Sequence, residues 1–223
     1  MTESTSPGGS EHPAGRLLYR GAEADVIRGD WQGLEAVYKV RKPLRYRLPV
    51  LDEEIRRQRT LHEAEMIHQA KGAGVAAPYL YDVDPPASTL VMEYVEGTRL
   101  KDVIASKAEG TDEVFREFGR NVGLLHRAGI MHGDLTTANV VRRGGSLVFV
   151  DFGLSIRTER LEDHAVDLRL IKETLLGAHP QVAAAAMEAL NRGYAGVLGP
   201  ARSRAVFRQL LSIERRGRYA RVA

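Results

Sequence analysis

The sequence predicts an α+β fold in two lobes, strand-rich first and helical second. Short apolar runs bounded by turn residues fill residues 17–95, around one long stretch without Gly or Pro. After Gly97 the apolar residues recur at helical spacing instead. The chain has 223 residues and 24.6 kDa, enough for one large domain or two small lobes with a real core. Hydrophobic residues are 43% and charged residues 27%, which excludes a wholly disordered chain.

Residues 1–15 (MTESTSPGGSEHPAG) hold almost no large apolar side chain and are expected to be a disordered tail. Ala36–Val40 and Thr89–Tyr94 read as strands, marked off by Gly29-Asp30 and Asp84-Pro85-Pro86. Between them, Asp52 to about Lys71 reads as a helix opening on Asp52, Glu53 and Glu54, where carboxylates suit the N-terminal dipole. Phe115, Phe118, Val122 and Leu125 mark one face of a second helix, and Gly129 supplies its stop. Val140–Arg142 and Leu147–Val150 read as a hairpin joined by Arg143-Gly144-Gly145-Ser146. Helices are expected at about 163–176, 180–192 and 201–215. The last carries an apolar stripe of Val206, Phe207, Leu210 and Leu211.

Charge and composition exclude several functions. The chain has no cysteine, so a disulfide scaffold, a thiolate metal site and a Cys nucleophile are ruled out. No apolar run is long enough to span a membrane, and the N-terminus has no apolar signal-like region. The net charge of +3 hides an asymmetry. Residues 202–223 hold seven arginines against one acid, Glu214, so this end sums to +6 and the rest to −3. Such a cluster suits either nucleic-acid phosphate or a solvated helix face. A second basic stretch runs Lys39, Arg41, Lys42, Arg45, Arg47.

The chemistry concentrates in His132-Gly133-Asp134-Leu135-Thr136-Thr137-Ala138-Asn139 and Asp151-Phe152-Gly153. Phosphoryl transfer needs a carboxylate on magnesium, a second oxygen ligand, and a further carboxylate to orient the attacking hydroxyl or water. Asp134 can meet the nucleophile, Asn139 can turn back to the metal, and the hairpin can return Asp151 beside them. Gly153 is expected to let the backbone turn away.

These two motifs resemble the protein-kinase catalytic loop H-R-D-x-x-x-x-N and its D-F-G, with His132-Gly133-Asp134 for H-R-D. Ala36-Val37-Tyr38-Lys39 resembles the V-A-I-K strand, which makes Lys39 the candidate phosphate lysine, with Lys42 as its rival. Glu63 is its candidate partner, because Met66, Ile67 and Ala70 put it on an apolar helix face, whereas Glu65 looks wetter. Val91-Met92-Glu93-Tyr94-Val95-Glu96-Gly97 resembles a kinase hinge, which implies adenine reading by the backbone of Glu93 and Val95, with Met92 lining the pocket. Gly21-Ala22-Glu23-Ala24 keeps one glycine where a G-x-G-x-x-G phosphate loop has three. The resemblance implies that Asp167 holds the catalytic loop backbone.

About nine residues separate Gly153 from the helix-like run at Glu162, 73 residues run from Asp151 to Ala223, and no A-P-E occurs. The peptide-docking platform of a protein kinase is therefore expected to be largely absent, leaving a reduced helical lobe. Together with Arg59-Thr60-Leu61-His62-Glu63-Ala64, His179-Pro180 and Arg215-Arg216-Gly217-Arg218, these features resemble the small atypical kinase of the KEOPS (EKC) complex, the PRPK family. The resemblance implies a kinase-like bilobal fold with a disordered tail at 1–15, an N-lobe at 16–95, a reduced C-lobe at 96–214 and a basic tail at 215–223. It implies ATP and Mg2+ as ligands, with Asp134, Lys39 and Glu63 catalytic. Gly21, Ala22, Glu23, Ala24, Lys39, Met92, Glu93, Val95, Asn139 and Asp151 would bind nucleotide, and Asn139 and Asp151 the metal.

The implied function is ATP hydrolysis, with serine/threonine kinase activity at the same site, in support of threonylcarbamoyladenosine formation on tRNA. Implied partners are an ASKHA-fold threonylcarbamoyl transferase, other KEOPS subunits, and tRNA through the basic tail, with no membrane. The expected compartment is the cytoplasm, with the nucleus open. Three other readings compete. The His132-Gly133-Asp134 loop also resembles that of aminoglycoside and choline kinases, but their helical substrate insertion has no room here. A RIO-type kinase shares the short segment but fits the Glu63 and Asp167 contexts less well. A nucleotide-binding scaffold on tRNA would not need Lys39, Asp134, Asn139 and Asp151 together.

Overall fold

The computed structural model describes residues 15–106 and 111–219. Of the tail expected at 1–15, residues 1–14 lie outside them and Gly15 instead opens the first strand; of the basic tail expected at 215–223, residues 220–223 lie outside them and residues up to Tyr219 continue the last helix. The chain forms two compact units. The first takes in residues up to Ala64 together with Tyr79–Tyr94; the second takes in Glu65–Pro78 and the chain from Val95 onward.

In the first unit β1 (Gly15–Arg20), β2 (Ala24–Trp31) and β3 (Leu34–Arg41) lead into α1 (Pro49–Gly72). β4 (Leu80–Asp84) and β5 (Thr89–Glu93) complete an antiparallel sheet in the order β1-β2-β3-β5-β4. β3 is central, and Lys39 lies opposite Val26 on one side and Leu90 on the other. Ala36 and Leu90 are fully buried. α1 starts three residues before the expected Asp52, because Pro49 has the fixed φ of a first helical turn and no N–H to waste. Asp52 then lies inside that turn, buried, where it accepts from the Leu44 N–H and the Arg56 guanidinium.

The second unit contains the end of α1, β6 (Thr98–Arg99), α2 (Leu100–Ala105), α3 (Thr111–Arg127) and β7 (Ile130–Met131). β8 (Val140–Arg143), β9 (Ser146–Phe149), β10 (Ile156–Arg157), α4 (Leu161–Ala178) and α5 (Pro180–Tyr219) follow. Phe115, Phe118, Val122 and Leu125 are all fully buried, as the α3 spacing requires. β8 and β9 form the expected hairpin, with Arg143 opposite Ser146 across a two-residue loop. The two helices expected at 180–192 and 201–215 run on as α5, broken only where Gly199 leaves helical geometry ahead of Pro200. Within the second half Val206 and Leu210 are buried, but Leu211 is 52% exposed, so it does not belong to the inward stripe. No helix among the described residues is long and apolar enough to cross a membrane.

Candidate functional site

The loop between β7 and β8 is held by several polar contacts within the second unit. It is built on Asp167 of α4, whose carboxylate is fully buried. Asp167 accepts the backbone N–H of His132 at 2.7 Å and that of Gly133 at 2.9 Å. The loop bends through Gly133 at φ 83°, where an added Cβ would lie 2.3 Å from the Leu154 carbonyl oxygen, so only glycine fits. The Ser155 hydroxyl donates to the His132 carbonyl at 2.9 Å. Asn139 donates its amide to both the backbone oxygen of Asp134 (2.9 Å) and its carboxylate (2.8 Å). Two acceptors require the –NH2 group there, which leaves Oδ1, a lone-pair donor, outside these bonds.

The β8–β9 hairpin returns the chain to this loop: the Val150 N–H donates to the Asn139 carbonyl at 2.9 Å. Asp151 follows, exposed, in the left-handed region at φ 64°. The sharp bend therefore sits on Asp151, and Gly153, expected to provide it, is not at positive φ. A non-glycine residue held there costs strain, a feature that concentrates at functional sites. Phe152 is fully buried with its ring 4.8 Å from that of His132. The second unit thus brings Asp134, Asn139 and the Asp151 turn onto adjoining backbone.

Beneath this loop lies a buried network the sequence reading missed. His126 of α3 places Nε2 3.1 Å from Asp167 and Nδ1 2.8 Å from the Tyr194 hydroxyl of α5. Asp167 can only accept, so the Nε2 proton belongs to His126. The His164 ring stacks on His126 with centroids 4.1 Å apart. Burial tends to raise the Asp167 carboxyl, but the hydrogen bond and charge of His126, then the His132 side, outweigh it and hold the group below its ordinary value. Burial drives His164 down to about 4, aided by the neighbouring His126 charge, and lowers His132 as well. One signal was available: His126 follows Leu125 on the buried face of α3.

In the first unit Lys39 and Glu63 meet, Nζ to Oε1 at 2.7 Å. Glu63 is fully buried, and its other oxygen accepts from Arg41 at 2.5 Å. Arg41 was missed, although residues two apart on a strand share a face. Glu65 is exposed. Lys42, the rival lysine, does not meet Glu63; its Nζ contacts the Gly21 carbonyl (2.7 Å) and Asp25 (2.8 Å). Gly21, Ala22 and Glu23 form the turn from β1 to β2, with Ala24 the first residue of β2. Met92 is buried in β5 and Glu93 ends it, with its N–H on the Tyr79 carbonyl at 2.8 Å. Val95 is the first residue of the second unit after β5.

The C-terminal arginines sort into two groups. Arg202 pairs with Glu159 (3.5 Å) and Arg216 with Glu162 (2.8 Å). Arg204, Arg208 and Arg215 are exposed and, at spacings of four and seven, share one face of α5.

Comparison with known proteins identifies the family. Residues 40–178 match the family described as protein kinase domain. The KEOPS complex subunit Bud32 of Pyrococcus abyssi is 37% identical over 211 residues, covering 92% of this chain and 96% of that one. The EKC/KEOPS complex subunit bud32 of Dictyostelium discoideum is 35% identical, covering 74% and 69%. A probable bifunctional tRNA threonylcarbamoyladenosine biosynthesis protein of Methanothermobacter thermautotrophicus is 41% identical over 203 residues, 91% of this chain but 36% of the relative, so the chain spans about a third of that protein's length. Among solved structures, the Rio2 kinase–ADP/Mg2+–phosphoaspartate complex from Chaetomium thermophilum matches with a TM-score of 0.62 at 15% identity, over 92% of this chain and 72% of that one, a likeness of fold. The chain belongs to the protein kinase domain family and, within it, to the Bud32 family of KEOPS complex subunits.

Proposed function

We propose that this chain is a magnesium-dependent, ATP-using KEOPS subunit that supports threonylcarbamoyladenosine formation on tRNA. ATP hydrolysis is its working activity, and serine/threonine phosphorylation uses the same residues. The observation that carries the catalytic reading is the Asn139 amide, which bonds both the backbone oxygen and the carboxylate of Asp134 through its –NH2 group, so that Oδ1 is the oxygen we assign to the cation. Asp151 supplies the carboxylate. Magnesium binds through one or two carboxylates, water and substrate phosphates. The donor set of one carboxylate and one amide oxygen therefore fits.

Each residue then has one task. Lys39, oriented by Glu63, neutralises the nucleotide phosphates. The Gly21–Ala24 turn covers them. The backbones of Glu93 and Val95 read adenine beside Met92. Asn139 and Asp151 hold magnesium, which when bound draws charge from the phosphate oxygens. Asp134 orients the attacking water or hydroxyl through its proton, as the bond from the γ-phosphorus to ADP breaks.

The Bud32 relatives support the KEOPS assignment, and the bifunctional relatives support close work with a further domain, for which an ASKHA-fold transferase is our reading. The exposed Arg204, Arg208 and Arg215, with the basic residues after them, are the proposed tRNA contact; such binding weakens with salt and ignores sequence. The proposed compartment is the cytoplasm or nucleus. Co-purification with the transferase, then ATP turnover with and without tRNA, tests the reading. Turnover should rise with both, and Asp134→Ala should reduce it by about 10²–10⁴-fold while nucleotide stays bound. Parent-like turnover by that variant would refute the assignment.

A further inference from the structure

A phosphate loop with three glycines can reshape itself around its ligand, whereas Gly21-Ala22-Glu23-Ala24 has one. Such a loop works only if its shape is set beforehand. Several bonds set it. The Gly21 N–H donates to the Ala24 carbonyl at 2.9 Å, closing the turn. A Cβ on Gly21 would lie 2.7 Å from that same oxygen, so the closure tolerates no side chain. Lys42 then grips the turn twice. Its backbone N–H donates to the Glu23 carbonyl at 2.8 Å, and its ammonium donates to the Gly21 carbonyl at 2.7 Å. The ammonium is aimed by Asp25, 2.8 Å away and 5% exposed. The Glu23 side chain is taken by Arg59 and, at 3.3 Å, by Arg47, which leaves a loop facing phosphates without an uncompensated negative charge.

We propose that Lys42 and Asp25 form a clamp that presets the Gly21–Ala24 turn for nucleotide, so that Lys42 is a positioning residue rather than a phosphate ligand. This rests on the reading of that turn as the nucleotide loop. An ordinary strand-end ion pair would involve Lys42 and Asp25 alone; here the ammonium also bonds a carbonyl of the turn.

Lys42→Met keeps the aliphatic stem and removes the donors, and Asp25→Asn keeps the shape and removes the charge. In the nucleotide-free full-length protein, amide exchange at Gly21 should accelerate in both. The Kd for ATP should rise roughly tenfold or more, the range expected for losing one charge-assisted hydrogen bond, with kcat within about twofold. The double variant should be no worse than Lys42→Met alone, since the two residues act as one unit. Unchanged exchange overturns the clamp. So does a weaker ATP affinity in Lys42→Met with none in Asp25→Asn, the pattern of a direct phosphate ligand. Faster exchange with unchanged affinity also overturns it, and Lys39→Met then locates the fault. If Lys39→Met weakens ATP binding, the clamp alone is wrong; if it does not, the nucleotide reading is wrong too.

Discussion

Among the described residues each unit buries one carboxylate completely, and the two are satisfied differently. Glu63 faces two cationic side chains, Lys39 and Arg41, from the neighbouring strand. Asp167 faces two backbone N–H groups and a histidine. A carboxylate held by flexible cations fixes where those cations point. A carboxylate held by backbone amides fixes the path of the chain itself. Glu63 therefore governs a charge, and Asp167 governs the shape of the loop bearing Asp134.

That contrast can be broken by mutation. Asp167→Ala leaves two buried N–H groups and His126 without their acceptor and should cost about 3–5 kcal/mol, the range for breaking a buried charged pair, read by urea denaturation. Asp167→Asn should flatten the acid limb of the stability curve. Its depressed carboxyl stabilises the fold above the ordinary carboxylate range, and this is lost as pH falls through the folded value.

His164 gives the next effect. Its folded value of about 4 lies below the unfolded value near 6.5, so protonation favours unfolding. Stability is full above pH 6.5 and should fall by about 3 kcal/mol between there and pH 4. His164→Phe, which keeps a flat ring over His126, should remove that part of the slope; identical slopes would refute it.

Glu63→Gln should cost about 2 kcal/mol, in the range for hydrogen bonds to charged groups. It should weaken ATP binding more than it lowers kcat, because the lysine is misdirected while Asp134 is untouched. Equal loss in both would mean that Glu63 does not act through the direction of Lys39. Tyr194→Phe removes only the hydroxyl on His126 and should cost about 1 kcal/mol by thermal denaturation.

The contacts of the loop bearing Asp134 and Asn139 were legible because its residues are contiguous and the chemistry proposed for it restricts residue type. Glu63 was legible because helix periodicity separates it from Glu65. The choice between Lys39 and Lys42 could also have been read, since strand alternation puts Lys39 with Arg41 and Lys42 on the other face. What stayed hidden depended on packing between distant segments: Asp25 closing on Lys42, and His126, His164 and Tyr194 gathering under Asp167 from three helices. The positive φ of Asp151 was hidden because local preference assigns such bends to glycine, here Gly153, and the surrounding structure overrides it.

In the proposed function Asp151, with Asn139, holds the magnesium that accompanies ATP. Calorimetric titration with a nonhydrolysable ATP analogue, with and without magnesium, on the parent and Asp151→Ala tests it most directly. Magnesium should tighten binding to the parent and add nothing to the variant, while metal-free affinities match. An equal magnesium-dependent gain in both proteins would contradict it.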